Sequence, residues 1–297
     1  MISFVVFVFV TILFIFSSVK QLRKPSAEKR WRLPPGPRKL PFIGNLHQLG
    51  TLPHQSLQRL SRKHGPLMFL QLGSIPTLVV SSADMAKEIF KNYDPVFSGR
   101  PLLHAANRIG YGSGVSFAPY GDYWREMRKI MMLELLSPKR VQSFEVVRSD
   151  EVKLMLQAIA LSPAPVNLSE LILSLTNNVV CRVALGKRDR CTDDGNKVYK
   201  MLKETQHLLG GFFVDDFFPG LGWLNKFSGL QSRLEKNFRD MDSFYEQVIK
   251  EHVVESSERA GADHEDVVDV LLKVQKDPNQ VIAISDNHIK GVLVVRL

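Results

Sequence analysis

Cysteine is nearly absent. Cys181 and Cys191 are the only two in 297 residues, too few for a disulfide framework to hold the chain together. The eight histidines include no His-Glu-x-x-His, and no Cys-x-x-Cys pair occurs, so the usual zinc patterns are missing. Gly-x-Ser-x-Gly is missing too, which removes the nucleophile turn of a serine hydrolase. Gly110, Gly112 and Gly114 alternate without the Gly-x-Gly-x-x-Gly spacing, and no strand leads directly into them, so they read as a flexible loop rather than a phosphate cradle. Acidic residues are scarce at one end. Residues 1–66 carry 11 Lys/Arg against the single Glu28, whereas the remaining 231 carry 28 basic and 29 acidic side chains. The net charge of +9 therefore belongs to the N-terminus, and the near-neutral body argues against a nucleic-acid partner, which would draw basic side chains onto the folded surface. With 44% hydrophobic and 23% charged residues, disorder throughout is excluded.

What the N-terminus has instead is one long apolar run. Met1 to Val19 holds no charge, and only Ser3, Thr11, Ser17 and Ser18 are polar. As a helix it reaches about 28 Å, close to the ~30 Å hydrocarbon core of a bilayer. Lys20, Arg23, Lys24, Lys29, Arg30 and Arg32 follow it and no basic residue precedes it, the reverse of a cleaved signal peptide. The charge order predicts a single-pass anchor (residues 1–19) in contact with membrane lipid, a basic and proline-rich linker (20–41), and a body (42–297) on the cytosolic side. The sequon Asn167-Leu168-Ser169 is then expected to stay unmodified; a glycan on Asn167 in cells would overturn that orientation.

The body reads as mainly α with a small N-terminal β-hairpin. Leu33-Pro34-Pro35-Gly36-Pro37 must be extended, because its prolines fix φ and lack donors. A helix is expected over 54–64. Strands are expected over 67–72 and 77–80, joined through residues 73–76, and Ser81 with Asp84 is expected to start the next helix. Residues 95–118 read as loop, 119–132 as helix, and Ser137-Pro138 as the start of a long helix through Val141, Phe144 and Met155. Asn167 with Glu170 caps another helix, and further helices are expected near 197–209, 230–257 and 264–275 and from Asp286 onward. Phe212 to Leu224 reads as an aromatic loop, with Asp215-Asp216 as a turn in it. Asp263-His264-Glu265-Asp266 reads as an exposed acidic helix start rather than a metal site.

Trp124 and Arg128 are four residues apart and share a helix face, so an indole N–H and a guanidinium make a donor pair suited to a carboxylate. Alone this spacing is weak. In order along the chain, however, stand an apolar anchor, Leu33-Pro34-Pro35-Gly36-Pro37, Phe97-Ser98-Gly99-Arg100-Pro101 and Trp124-x-x-x-Arg128. With these motifs in this order, the chain resembles a microsomal cytochrome P450 of the plant type.

The resemblance implies a haem cofactor whose propionates are held by Arg100, Trp124 and Arg128. It also implies a substrate-contacting loop with Ser116 and Phe117 nearest the pocket. The implied chemistry is insertion of one oxygen atom from O2 into an apolar organic substrate at the endoplasmic reticulum membrane, with electrons from an NADPH-dependent reductase. Arg125, Lys129, Lys139 and Arg140 could present a basic face to that partner. The family's Phe-x-x-Gly-x-Arg-x-Cys-x-Gly ligand motif is missing, and neither Cys181 nor Cys191 has the right neighbours, so both read as structural. The acid/Thr pair and the Glu-x-x-Arg helix are missing too. The expectation is a truncated P450 fold, inactive by itself. The alternatives are a catalytically dead membrane-anchored interaction protein and a non-functional splice fragment.

Overall fold

A computed structural model describes residues 33–186, 195–258 and 265–296. The expected anchor, the first part of the linker and Cys191 lie outside the described residues. The remainder is mainly helical with one two-stranded antiparallel sheet.

In chain order come α1 (Pro53–His64), β1 (Leu67–Leu72), β2 (Ile75–Val80), α2 (Ala83–Asn92), α3 (Asp94–Phe97), α4 (His104–Ile109) and α5 (Asp122–Ile130). Then follow α6 (Pro138–Ser143), α7 (Glu145–Ala160), α8 (Leu168–Leu185), α9 (Gly195–Leu209), α10 (Val214–Phe217), α11 (Leu230–Glu258), α12 (Val267–Lys276) and α13 (Asp286–Arg296).

The hairpin turn is shorter than expected. Ile75 and Pro76 belong to β2, paired with Leu72 and Gln71, and Gly73-Ser74 alone makes the turn. The proline-rich segment lies along the free edge of β1, where Phe69 N–H donates to Pro35 O at 3.0 Å. Gly36 is required there, because a Cβ would stand 2.1 Å from the Phe69 carbonyl oxygen. Prolines suit such an edge, since they bring no donor that needs a partner.

Several boundaries differ from expectation, each for a physical reason. Ser82 rather than Ser81 caps α2, its side chain accepting from Met85 N. The expected helix over 119–132 starts only at Asp122, after Pro119 and the extended Gly121, and widens into a π turn over Met131–Leu135. The helix opened by Ser137 breaks at Phe144, whose side chain turns into the core. Arg148 compensates by donating to the Val141 carbonyl at 2.8 Å. The loop expected over 95–118 contains α3 and α4, and the aromatic loop contains α10 and a 3-10 turn over Gly222–Phe227. Asn167 caps α8 as expected, accepting from Ser169 N and Glu170 N.

The core gathers on α12. Six of its ten residues are buried, Val267, Val268, Val270, Leu271, Leu272 and Val274, packed among Leu185 of α8, Tyr245 and Ile249 of α11, and Leu293 of α13. Burying most of a helix's circumference makes it the centre of the packing rather than its skin. Tyr245 is fully buried, and its hydroxyl finds no hydrogen-bond partner among the described residues. Tyr245→Phe removes that stranded polar group and is expected to raise stability by about 1 kcal/mol, read as a higher urea midpoint at unchanged m-value.

One helix among the described residues, Leu168–Leu185, is long and apolar enough to cross a membrane. Here Cys181, Ala184 and Leu185 pack into the core, and Arg182 pairs with Glu151 of α7 at 3.0 Å. Leu168, Ile172 and Leu173 on the same helix, with Leu156 of α7 and Leu161 just beyond it, are exposed.

Candidate functional site

The residues singled out from sequence fall on α5 and on the segments leading into it. The Arg128 guanidinium carbon lies 5.2 Å from the Trp124 ring centroid, a cation–π distance. The Trp124 indole N–H is spent, donating to the Val115 carbonyl at 3.0 Å. Arg100 is exposed and donates to Ser98 O at 3.1 Å within its own turn. The structure thus joins Trp124 to Arg128, while Arg100 bonds within its own turn and to neither of them.

The loop between α4 and α5 is held from two sides. Tyr123 O–H donates to Ser113 O at 2.7 Å, and α13 lies directly on the loop. A Cβ on Gly291 would meet Gly110 O at 3.2 Å and Ser113 Oγ at 3.3 Å, so a small residue is what lets the helix approach. Tyr111 adopts φ 56°, in the left-handed region that side chains other than glycine rarely occupy. Phe117 helps line a cavity with Leu102, Leu103, Ala106 and Pro119. That cavity encloses about 10 Å³, room for roughly one water. Ser116 is exposed and is not part of the lining.

Three polar clusters escaped the sequence reading. Arg108 of α4 makes a bidentate pair with Glu235 of α11 at 2.9 and 2.8 Å, and its guanidinium carbon stacks 3.5 Å over Phe238. The guanidinium holds the Glu235 carboxyl below its ordinary range. Lys290 of α13, almost wholly buried, pairs with Asp242 of α11 at 2.6 Å. His104 contacts Asp215, Asp216 and Gln231. The signal for the first was present as matching i, i+4 spacings, His104/Arg108 and Gln231/Glu235, but nothing local says that the two helices meet.

His288 on α13 sits 5.2 Å from the Tyr123 ring, and its Nδ1 accepts from Ser285 N at 3.1 Å. Burial pushes its pKa down from 6.5. A folded-state pKa below the unfolded value means that the unfolded chain binds more protons, so stability is full above pH 6.5 and falls as pH drops below it. His288→Gln is expected to flatten that part of the acid limb in urea melts recorded against pH.

The expected basic face is largely neutralised. Arg125 pairs with Asp122, Lys129 with Glu126 at 3.5 Å, and Arg140 with Glu265 at 3.5 Å, leaving Lys139 exposed. The expected exposed acidic start near 264 also changes. Asp263 and His264 lie outside the described residues, and Asp266 is the buried N-cap of α12. Asp266 Oδ2 lies 2.8 Å from His252 Nε2 and its Oδ1 accepts from Asp269 N. His252, Asp266 and Asp269 lie close enough to hold a metal ion, but capping and pairing already use the Asp266 oxygens.

The donor set can be tested against a haem. Arg100 and Arg128 have no carboxylate partner among the described residues, unlike Arg108, Arg125, Arg140, Arg182 and Arg233. A guanidinium without a carboxylate partner has the donors a propionate needs, but Arg59 and Arg148 are equally without one, Arg100 lies apart from Arg128, and the Trp124 N–H points at a backbone carbonyl. Cys181 is buried in the core, and no free cysteine occurs among the described residues.

Comparison with known proteins identifies the family. The family model described as Cytochrome P450 matches residues 34–295. Cytochrome P450 71A9 of Glycine max is 80% identical over 296 residues, which cover 99% of this chain and 59% of that protein. Strychnine-11-hydroxylase of Strychnos nux-vomica is 50% identical, covering 96% of this chain and 56% of the relative. A phenylacetaldehyde oxime monooxygenase of Prunus mume is 40% identical, covering 95% and 54%. The chain spans little more than half the length of these relatives, and across almost all of its own length it belongs to the cytochrome P450 family.

Proposed function

We propose that this chain supplies the N-terminal part of a membrane-anchored haem-thiolate monooxygenase and is inactive by itself. The observation that carries the reading is the family match over residues 34–295, to which the unspent Arg100 and Arg128 give a chemical role. Arg100 and Arg128 hold the propionates by charge-assisted hydrogen bonds. Trp124 fastens the 110–118 loop through Val115 and offers Arg128 its ring face. Phe117 presents an apolar wall to the substrate, and Ser116 lies at its rim.

Haem, when bound, supplies activation of O2 for insertion of one oxygen atom into an apolar organic molecule. Neither Cys181 nor Cys191 stands in a Phe-x-x-Gly-x-Arg-x-Cys-x-Gly run, and on this reading the axial thiolate comes from the part of the relatives' length that this chain does not span. Residues 1–19 anchor the protein in the endoplasmic reticulum membrane, the body faces the cytosol, and an NADPH-dependent reductase delivers the electrons.

The test joins this chain to the C-terminal remainder of the 80%-identical soybean relative. The chimera, with reductase and NADPH, is expected to show a thiolate-type carbon-monoxide difference band, and the 297-residue chain none. That band from the shorter chain would overturn the reading.

A second reading, a catalytically dead interaction protein, draws on the bare apolar residues of α7 and α8, such as Leu161, 83% exposed. Co-purification of the unextended chain with the reductase, at a yield the chimera does not exceed, would favour it.

A further inference from the structure

His104 is gripped at three atoms by two elements more than 100 residues away. Its backbone N–H donates to Asp216 Oδ1 at 2.7 Å, Nδ1 lies 2.7 Å from Asp215 Oδ2, and Nε2 lies 2.8 Å from Gln231 Oε1. Phe213 stacks on the ring at 5.0 Å and 23°. The orientation of the Gln231 amide is set independently, since its Nε2 donates to Glu235 Oε1 at 3.4 Å, and Glu235 is itself held by Arg108. Both ring nitrogens of His104 therefore face acceptor oxygens, and only an imidazolium has a proton for each. In a neutral ring one nitrogen lone pair would oppose either the carboxylate or the amide oxygen. Turning the amide over would then set its oxygen against the Glu235 carboxylate.

The charged groups that interact with His104 are Asp215 and Asp216 of α10 and Glu235 of α11, the last paired with Arg108 of α4 itself. Asn225 of the 3-10 turn steadies Asp215 by donating to its other oxygen. Burial raises the Asp216 carboxyl, while the His104 amide opposes the rise.

We propose that His104 is a protonation-controlled pin that fastens α4 to α10 and α11, holding the 102–117 segment closed while the imidazolium is present and releasing it when the proton leaves. Leu103 and Ala106, either side of the pin, line the cavity next to Phe117. Release would open that wall. The consequence for ligand entry rests on the monooxygenase reading; the pin itself does not.

The experiment is hydrogen exchange on the 297-residue chain in lipid nanodiscs, without haem or substrate. Protection is corrected for intrinsic rates and compared at two pH values either side of the ~5–8 range in which histidines change charge. Peptides from α4 and α10 are expected to lose about tenfold in protection on the alkaline side, the scale of one hydrogen bond to a charged group, while peptides from α12 stay unchanged. His104→Gln is expected to show the lower protection at both pH values. Gln231→Glu, which adds a carboxylate opposite Nε2, is expected to carry full protection further into the alkaline range. If His104→Gln does not fold, the wild-type chain and Gln231→Glu still decide. A wild-type chain with no pH step, a step that survives in His104→Gln, or a Gln231→Glu step at the wild-type pH would each overturn the proposal. Exchange reads the pin without haem, so its failure and that of the monooxygenase reading are separately visible.

Discussion

Arg128→Ala in the chimera with the soybean relative is expected to weaken haem retention by about ten- to a hundredfold, the scale of one charge-assisted hydrogen bond of ~1.5–3 kcal/mol. The guanidinium is exposed and has no carboxylate partner of its own, so its removal strands nothing in the protein, and the fold is expected to melt within ~0.5 kcal/mol of the parent. Trp124→Phe makes the contrast. It keeps a ring beneath Arg128 but removes the donor to Val115 O. Its cost is therefore expected mainly in stability, about 1 kcal/mol for a half-buried hydrogen bond, with haem retention changing less than in Arg128→Ala. Haem transfer to apomyoglobin measures the first quantity and urea melts the second. Equal haem loss in both variants would show that the indole N–H turns to the propionate once haem is present.

Asp242→Ala is expected to be among the most destabilising single changes on the polar side of the fold, at about 3 kcal/mol. Lys290 has only 9% of its side chain exposed, and its ammonium is hydrogen-bonded to Asp242 at 2.6 Å. Removing the carboxylate leaves a buried cation with the Tyr111 ring, 5.7 Å away, as its nearest compensation. The lower end of the range for broken buried pairs applies, because the Asp242 side chain is itself 34% exposed and water can partly replace it. Lys290→Met removes the charge from the buried side instead and leaves Asp242 hydrated. It is expected to change stability by less than about 1 kcal/mol, since an apolar side chain of similar length suits that position. The discriminating quantity is the asymmetry between the two variants in urea denaturation. Equal and small effects would mean that the ammonium already reaches water.

Local rules accounted for much of the architecture. The hairpin, the Asn167 cap of α8 and the extents of α9 and α11 follow from apolar periodicity and cap chemistry, which act over a few residues. Where these rules missed, the deciding contact came from elsewhere in the chain. α4 lies in a stretch that reads as loop because Leu103, before it, offers no side-chain acceptor. Its first N–H is satisfied by Asp216, 112 residues on. The break at Phe144 likewise reflects where that ring is buried, which periodicity alone does not show.

The same division holds for the site. Family membership was legible from Leu33-Pro34-Pro35-Gly36-Pro37, Phe97-Ser98-Gly99-Arg100-Pro101 and Trp124-x-x-x-Arg128, because each motif is a short run whose spacing survives without any fold. The order of charges around the first apolar run also needed nothing beyond the sequence. Only the tertiary structure decided that the Trp124 N–H turns to Val115 and that three of the four supposed partner-facing cations are spent within the fold. It alone placed His104, Arg108 and Lys290 against carboxylates of α10 and α11. The reason is physical: hydrophobic periodicity and caps are settled within a turn or two of helix, whereas the partner of a charged side chain is whichever opposite charge the packing of distant elements brings within hydrogen-bond reach.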